Sequence, residues 1–310
     1  MINFRYHVVS LTAVFLALAI GLVMGTAALN GPAADELNNK VNALSGQNQV
    51  YRAQVNQLEA DASKQEQFAS QIAPIALPDK LLGHSVVVVS MHSTNSYVSS
   101  VMQMLGLAGA KVTGQVELAD TLADPNNSDR LLDLANRTAP AGLAGLPANS
   151  NGVETASYLL GTVLLTHTPA LSADTVRTVF KAFTEAQFIK VNGDAVTGPA
   201  EAMVLIAAQP YTDRQGDGKN ASMLTMADQF DKVGPLVVTA NGAAGTGNII
   251  AALRGDPTLS KTISTVDNLA TPQGQISTVL ALAEQVLQHK AGHYGLDSGA
   301  TALVPPKPAT

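Results

Sequence analysis

Four side chains that could bind a soft metal ion lie close together, at and just after the run SVVVVSM at 85–91. They are Met91, His92, Met102 and Met104. Thioether sulfur and imidazole are ligands that select Cu(I), and the chain has no cysteine to supply a thiolate. Met91 and His92 end a predicted strand, where α/β proteins place ligands. Met102 and Met104 are two residues apart on a predicted helix, so they do not share a face. The alternative to a metal site is therefore that these methionines pack in the core.

A second candidate site lies where two further strands are predicted to end. The segment TANGAAGTGN at 239–248 has the position of a phosphate cradle, between a strand and a helix. Its spacing matches neither GxGxxG nor GxxxxGK(S/T), which favours a tight turn. An Asp-Asn pair in STVDNLATPQG also follows a strand, where a ligand contact or a turn would suit it. The residues of this possible ligand edge are Gly242, Gly245, Gly247, Asp267 and Asn268.

The sequence contains no recognisable catalytic motif. It has no cysteine nucleophile, no GxSxG elbow and no HExxH. His289 and His293 are four apart, but Gly292 is predicted to end their helix between them, and a helix-end role needs no metal. We therefore predict that the chain is not an enzyme. Copper is the candidate cofactor that the sequence suggests. The net charge of −6, without a basic stripe, argues against nucleic acid as a partner.

These motifs lie on a predicted α/β domain at 83–295. The run SVVVVSM does not alternate, which is typical of a strand buried on both faces of a parallel sheet. Helical patterns lie between such runs, so the sequence predicts a mostly parallel sheet covered by helices. The polar, proline-rich segment 296–310 predicts a disordered tail. The predicted strands are 85–91, 111–118, 202–209, 235–240 and 261–266.

The apolar segment 8–29 predicts a transmembrane signal-anchor. It carries no charged residue, and about 20 apolar residues are enough to cross a bilayer. The alternative is a signal peptide cleaved near Gly25–Ala27, but a secretory apolar region is usually shorter. Arg5 precedes the span and acidic residues follow it. The positive-inside rule therefore predicts that residues 1–7 are cytoplasmic and that the rest lies in the periplasm or cell envelope.

Residues 33–73 predict a coiled-coil stalk that ends at Pro74 and Pro78, because proline cannot continue a helix. Apolar residues alternate by four and three, which is the heptad pattern. Asn48 falls at an a position, where a polar residue fixes register in a parallel dimer. We therefore predict a parallel homodimer, with a lone helix folded on the head as the alternative. The seam consists of Leu37, Val41, Leu44, Asn48, Tyr51, Val55 and Leu58, with Ala62 after it.

Two segments resemble a known family. They are NFRYHVVSLTAVFLALAIGLVMGT at the start and STVDNLATPQGQISTVLALAEQ, followed by GHYG, near the end. They resemble the mycobacterial and corynebacterial copper transport protein B (MctB) family, whose corynebacterial members are also described as SteB. The likeness runs through anchor, stalk and head in order. No copper-ligand motif carries over residue by residue.

The resemblance implies two functions. One is copper efflux or homeostasis, with an outer-membrane association in the family's naming. The other is a membrane-anchored partner of a second membrane protein, SteA, that controls septal peptidoglycan hydrolysis and cell separation. Because one apolar helix cannot enclose an aqueous pore alone, the sequence favours single-pass anchoring in the cytoplasmic membrane. We therefore interpret the chain as a non-enzymatic, dimeric envelope protein of copper homeostasis, with an envelope scaffold as the alternative.

Overall fold

The computed structural model divides the chain into two compact units, Met1–Gln65 and Glu66–Thr310. The first unit contains helix α1, Phe4–Leu29, and most of helix α2, Pro32–Ala76. The second contains the end of α2 and an α/β head. The described residues are 4–29, 31–91, 94–166, 170–192 and 196–306.

Helix α1 is apolar and exposed along its described side chains. Its few polar side chains bond to the helix itself, since Thr12 Oγ1 donates to the Val8 carbonyl at 2.8 Å and Thr26 Oγ1 to that of Leu22 at 3.0 Å. Such internal bonds give these two threonine hydroxyls a partner in an apolar medium. Residues Phe4–Ala27 form a helix long and apolar enough to cross a membrane.

Helix α2 continues past the predicted end of the stalk. Pro74 lies inside the helix, which ends at Ala76. The helix therefore extends three residues beyond the predicted boundary at residue 73. Pro74 is exposed and lies in the last turn, where loss of one backbone donor affects only the helix end. Ala69 and Ala73 of this helix are buried in the core of the head.

The head is built on a seven-stranded sheet of order β3-β2-β1-β4-β5-β6-β7. All neighbouring strands are parallel except β3, which is antiparallel to β2. The prediction of a mostly parallel, helix-covered sheet is confirmed. The chain leaves β1 first towards β2 and later returns to its other side with β4, so the strand order reverses between β1 and β4. The strands are β1 Ser85–Met91, β2 Lys111–Leu118, β3 Ile189–Asn192, β4 Ala202–Ile206, β5 Leu236–Thr239, β6 Ser264–Val266 and β7 His293–Tyr294.

Helices cover both faces of this sheet. On one face, the α3 side, α3 and α10 pack with the end of α2; on the other, the α6 side, α4 to α9 pack together. Strand β1 shows why: Val86 and Val88 face the α3 side, while Val87 and Val89 face the α6 side. A strand buried on both faces therefore reads as a nearly continuous apolar run. The helices are α3 Asn95–Leu107, α4 Asp120–Ala123, α5 Ser128–Thr138, α6 Gly152–Leu164, α7 Ala173–Glu185, α8 Gly216–Asp231, α9 Ile249–Gly255 and α10 Pro272–Gln288.

The predicted disordered tail is wrong for residues 296–306. Gly295 N–H donates to the Ala302 carbonyl at 3.0 Å, and Ser277 Oγ on α10 donates to the Leu303 carbonyl at 2.8 Å. The amino-acid composition does not reveal that this segment is structured, because the hydrogen bonds that hold it use backbone groups, which are the same in every sequence. Helix α10 also ends earlier than predicted, at Gln288, with His289 in the left-handed conformation as its cap.

Candidate functional site

The predicted copper ligands do not converge. Met91 is fully buried on the α6 side of the sheet, whereas Met104 is buried on the α3 side and Met102 packs there, partly buried. Side chains alternate along a strand, so the odd-numbered Met91 points away from α3. The three sulfur atoms therefore belong to two separate cores, which corrects the prediction of one site. His92 lies outside the described residues.

Other metal ligands do not replace them. Among the described residues, His, Asp and Glu side chains nowhere form a group of three or more that could hold a metal ion. The methionines are explained by packing, because flexible thioether side chains fill irregular core space.

Asp267, the centre of the predicted ligand edge, is buried in an ion pair. Its Oδ2 lies 2.8 Å from Arg254 Nη1, and the two side chains are 1% and 5% exposed. The carboxylate also accepts hydrogen bonds from the backbone N–H groups of Leu296 at 2.7 Å and Asp297 at 3.1 Å. Its acceptor positions are thus used within the fold. Asp267 joins the end of β6 to the segment after β7.

The guanidinium of Arg254 completes this junction. Its Nε donates to Thr265 Oγ1 at 3.0 Å, Nη2 to the Tyr294 carbonyl at 2.9 Å and Nη1 to the Ser298 carbonyl at 3.1 Å. Gly295 has a φ of 131°, and a side chain there would overlap the Asp267 carboxylate. We call Arg254, Asp267 and their partners the arginine junction. It fastens the C-terminal segment to the edge of the sheet.

The predicted glycine turn also has a structural explanation. Gly242, Gly245 and Gly247 have φ values of 85°, 96° and 79°, a region that glycine adopts readily. The first N–H groups of α9 are occupied by the Asn248 side chain, which accepts from Ile250 and Ala251. These donors are therefore not free to cradle a phosphate. Asn268 is the residue of the predicted ligand edge with an unsatisfied polar atom, since its Oδ1 is buried without a hydrogen-bond partner among the described residues.

His293 extends the arginine junction as a neutral imidazole. Its Nε2 lies 3.1 Å from the Ser260 carbonyl and its Nδ1 lies 2.9 Å from Thr265 Oγ1. Nε2 must donate to the carbonyl, so Nδ1 accepts from the threonine hydroxyl. Burial, followed by the charge of Arg254, lowers the pKa of His293. Protonation of Nδ1 would remove the threonine bond and add a second cation.

We expect the head to lose stability as the pH falls through about 6.5, the ordinary histidine value. The unfolded chain binds a proton there that folded His293 does not, so unfolding is favoured by acid. His293→Gln should flatten this dependence, measured as the urea midpoint of the full chain at several pH values. The exposed His289→Gln is the control and should keep the wild-type slope. Equal slopes in the two variants would contradict the assignment.

A crevice of about 320 Å³, lined by both polar and apolar residues, lies at the carboxyl ends of β1, β2, β4 and β5. Thr94 closes its floor, because its Oγ1 lies 2.8 Å from the Met91 carbonyl and 3.3 Å from the Ile206 carbonyl. It thereby ties together the two strands between which the strand order reverses. Ligands of α/β proteins bind at such a switch point. We call this site the switch-point crevice; its polar lining residues are Thr94, Tyr97, Asp120, Gln209, Tyr211 and Asn241.

Hydrogen bonds hold the polar side chains of the switch-point crevice in place. Tyr211 Oη donates to Asp120 Oδ1 at 2.8 Å, and Gln209 Nε2 donates to the Asn241 carbonyl at 2.5 Å. Asn220 fixes the Tyr211 backbone through bonds of 2.9 and 3.0 Å. Burial, with a contribution from the bond to Asp120, raises the pKa of Tyr211. The phenol therefore stays protonated and remains a donor.

The switch-point crevice was not predicted from the sequence. Its polar members come from four places in the chain, after β1, β2, β4 and β5, and none of these segments forms a motif. The available signal was positional: Asp120 follows β2, Gln209 and Tyr211 follow β4, and Asn241 follows β5. Polar residues just after parallel strands meet at one edge of a sheet.

An apolar N-terminal helix, a long second helix and an α/β head are the architecture expected of a membrane-anchored protein. The model of the family described as "Copper transport outer membrane protein, MctB" matches residues 1–305. The chain belongs to this family, which confirms the resemblance found in the sequence.

Curated relatives agree with this assignment. The chain is 29% identical over 310 residues to "Copper transporter MctB" of Mycobacterium tuberculosis, covering 98% of this chain and 99% of the relative. It is 30% identical over 317 residues to the protein of the same name from Mycobacterium leprae, covering 99% and 100%. The similarity thus spans both compact units.

Proposed function

We propose that the chain is a non-enzymatic, membrane-anchored envelope protein that acts in copper transport and tolerance, as the names of its relatives indicate. The observation that carries the anchoring is helix α1, in which Phe4–Ala27 is long and apolar enough to span a bilayer. Arg5 before it and Asp35 and Glu36 after it favour a cytoplasmic N-terminus. The head then lies in the periplasm or cell envelope.

We further propose that two copies associate through the stalk. Six apolar seam residues are 50–68% exposed in the single chain, and a helix gains stability by burying such a stripe. A second copy is the occupant that the heptad pattern fits, because it offers the same stripe. Two anchors in one membrane would hold the helices parallel. The six residues are Leu37, Val41, Leu44, Tyr51, Val55 and Leu58.

The alternative function is an envelope scaffold that pairs with a second membrane protein, such as SteA, in cell separation. One observation favours it: the sulfur of Met91 and those of Met102 and Met104 lie in different cores. The described residues therefore do not assemble the copper site that a direct metal carrier of this design would use. A copper phenotype could then follow from an altered envelope.

Copper tolerance of a deletion strain tests the proposal. We expect the full chain to restore growth at elevated copper and a variant without residues 1–30 to fail, because the head loses its anchor. A variant with an unrelated apolar helix in place of residues 8–29 is the control and should restore growth. Normal copper tolerance in the deletion strain, with cells that fail to separate, would overturn the copper function and support the scaffold.

A further inference from the structure

We propose that the switch-point crevice binds a neutral saccharide. This site is separate from the anchor and the stalk, and it is independent of the copper function proposed above. Its position follows from the topology of the sheet, and its ligand class follows from the chemistry of its lining.

The crevice has the place and size of a ligand site. It lies at the carboxyl ends of parallel strands, where the strand order reverses between β1 and β4. Its volume of about 320 Å³ is at the lower end of the range of small-molecule pockets, about 300–1,000 Å³. A ligand of one or two sugar rings is therefore the appropriate size.

The lining favours hydroxyl groups over anions. It contains the carboxylate of Asp120, the carboxamides of Gln209 and Asn241, and threonine and tyrosine hydroxyls. Of these groups, the Thr94 hydroxyl and Asn241 Oδ1 are already bonded to the Met91 carbonyl and the Ala270 N–H. None of the described lining residues is basic, whereas phosphate and carboxylate groups are usually bound by arginine, lysine or clustered N–H donors. Sugar hydroxyls both donate and accept, so they match this mixture of acceptors and donors. Aromatic rings add apolar faces on which a sugar ring can pack.

A cationic ligand fits less well, although the crevice contains a carboxylate. Lys219 Nζ already lies 5.2 Å from the centroid of the Tyr211 ring, and it pairs with Asp213 at 2.6 Å. The position that a cationic ligand would take at this ring is therefore already occupied by the ion-paired Lys219. The neutral class is therefore the one that the surroundings of Tyr211 admit.

The acceptor that would bind a sugar hydroxyl is fixed before the ligand arrives. Asp120 begins α4, and its Oδ1 accepts from Tyr211 Oη, which leaves Oδ2 for a ligand hydroxyl. Because Asn220 holds the backbone of Tyr211, the pair has little freedom to lose on binding. Such preorganisation strengthens binding by small sites.

The test uses the full chain in lipid nanodiscs, with empty nanodiscs as the blank. Glucose, N-acetylglucosamine and sucrose are each examined by saturation-transfer NMR. We expect transfer to at least one sugar, and a loss of affinity of about tenfold or more in Asp120→Asn, which removes a charge-assisted hydrogen bond. Tyr97→Leu should weaken binding as well, through loss of the ring face. The exposed Asp129→Asn, outside the crevice, is the matched control and should bind like the wild type.

Three results would overturn the proposal. They are no transfer to any of the three sugars, transfer that Asp120→Asn and Tyr97→Leu leave unchanged, and binding of tetramethylammonium in place of the sugars. Asp120→Asn keeps an oxygen that can accept from Tyr211, so it should fold even if Tyr97→Leu does not. The copper-tolerance test can succeed or fail independently of sugar binding, because it depends on the anchor and not on the crevice.

Discussion

Replacement of Arg254 by methionine is expected to destabilise the head by about 3–5 kcal/mol. Arg254 and Asp267 are 5% and 1% exposed, so the variant would leave a carboxylate buried without its cation. Removal of one partner of a buried ion pair costs far more than the pair itself contributes, because the remaining charge has lost its solvation. Asp267 would keep its two backbone donors, Leu296 and Asp297, which limits the loss to this range.

The effect is measured as the free energy of urea unfolding, followed by the near-ultraviolet circular dichroism of the tyrosines in nanodisc-held full chain. Arg177→Met is the matched control, because Arg177 pairs with Asp174 at 2.9 Å with both side chains largely exposed. An exposed pair contributes about 0–1 kcal/mol. If the two variants unfolded at the same urea concentration, the arginine junction would not hold the C-terminal segment in the way described.

The elements of the fold that could be predicted from the sequence are those with a long, distinctive residue pattern. Strand β1 contains four consecutive valines, and its seven residues match the predicted 85–91. Helix α6 was not among the sequence predictions: 11 of its 13 residues are buried and only Glu154 and Tyr158 are partly exposed, so its polar face is narrow. Strands β3 and β7 were missed because they have four and two residues, too few for a periodic pattern.

The site residues show a different limit. The position of Asp267 at the edge of the sheet was predictable, but its role was not, because Arg254 and the 296–298 segment satisfy it from distant parts of the chain. Sequence spacing likewise could not show that Met91 and Met104 face opposite cores. Which partner completes a buried polar group is a property of tertiary packing, and short motifs do not record it.

The second large effect concerns the stalk. We expect a Val55→Cys chain to form an interchain disulfide under mild oxidation, since the natural chain has no cysteine to compete. In a parallel, in-register pair each seam residue lies opposite its own copy, close enough for a disulfide after small adjustment. Gln49→Cys, outside the seam, is the matched control and should not cross-link. Non-reducing electrophoresis measures both.

Adding Leu44→Asp to the Val55→Cys chain should abolish most of this cross-link. A carboxylate from each helix would be buried in the seam, and like charges in a desolvated contact oppose association. Gln49→Asp, which adds the same charge outside the seam, should leave the cross-link intact. Equal cross-linking of Val55→Cys and Gln49→Cys would mean that the anchors bring two chains together without a coiled coil. No cross-link at Val55 would favour a lone stalk helix, and the scaffold or copper function would then have to be performed by single chains.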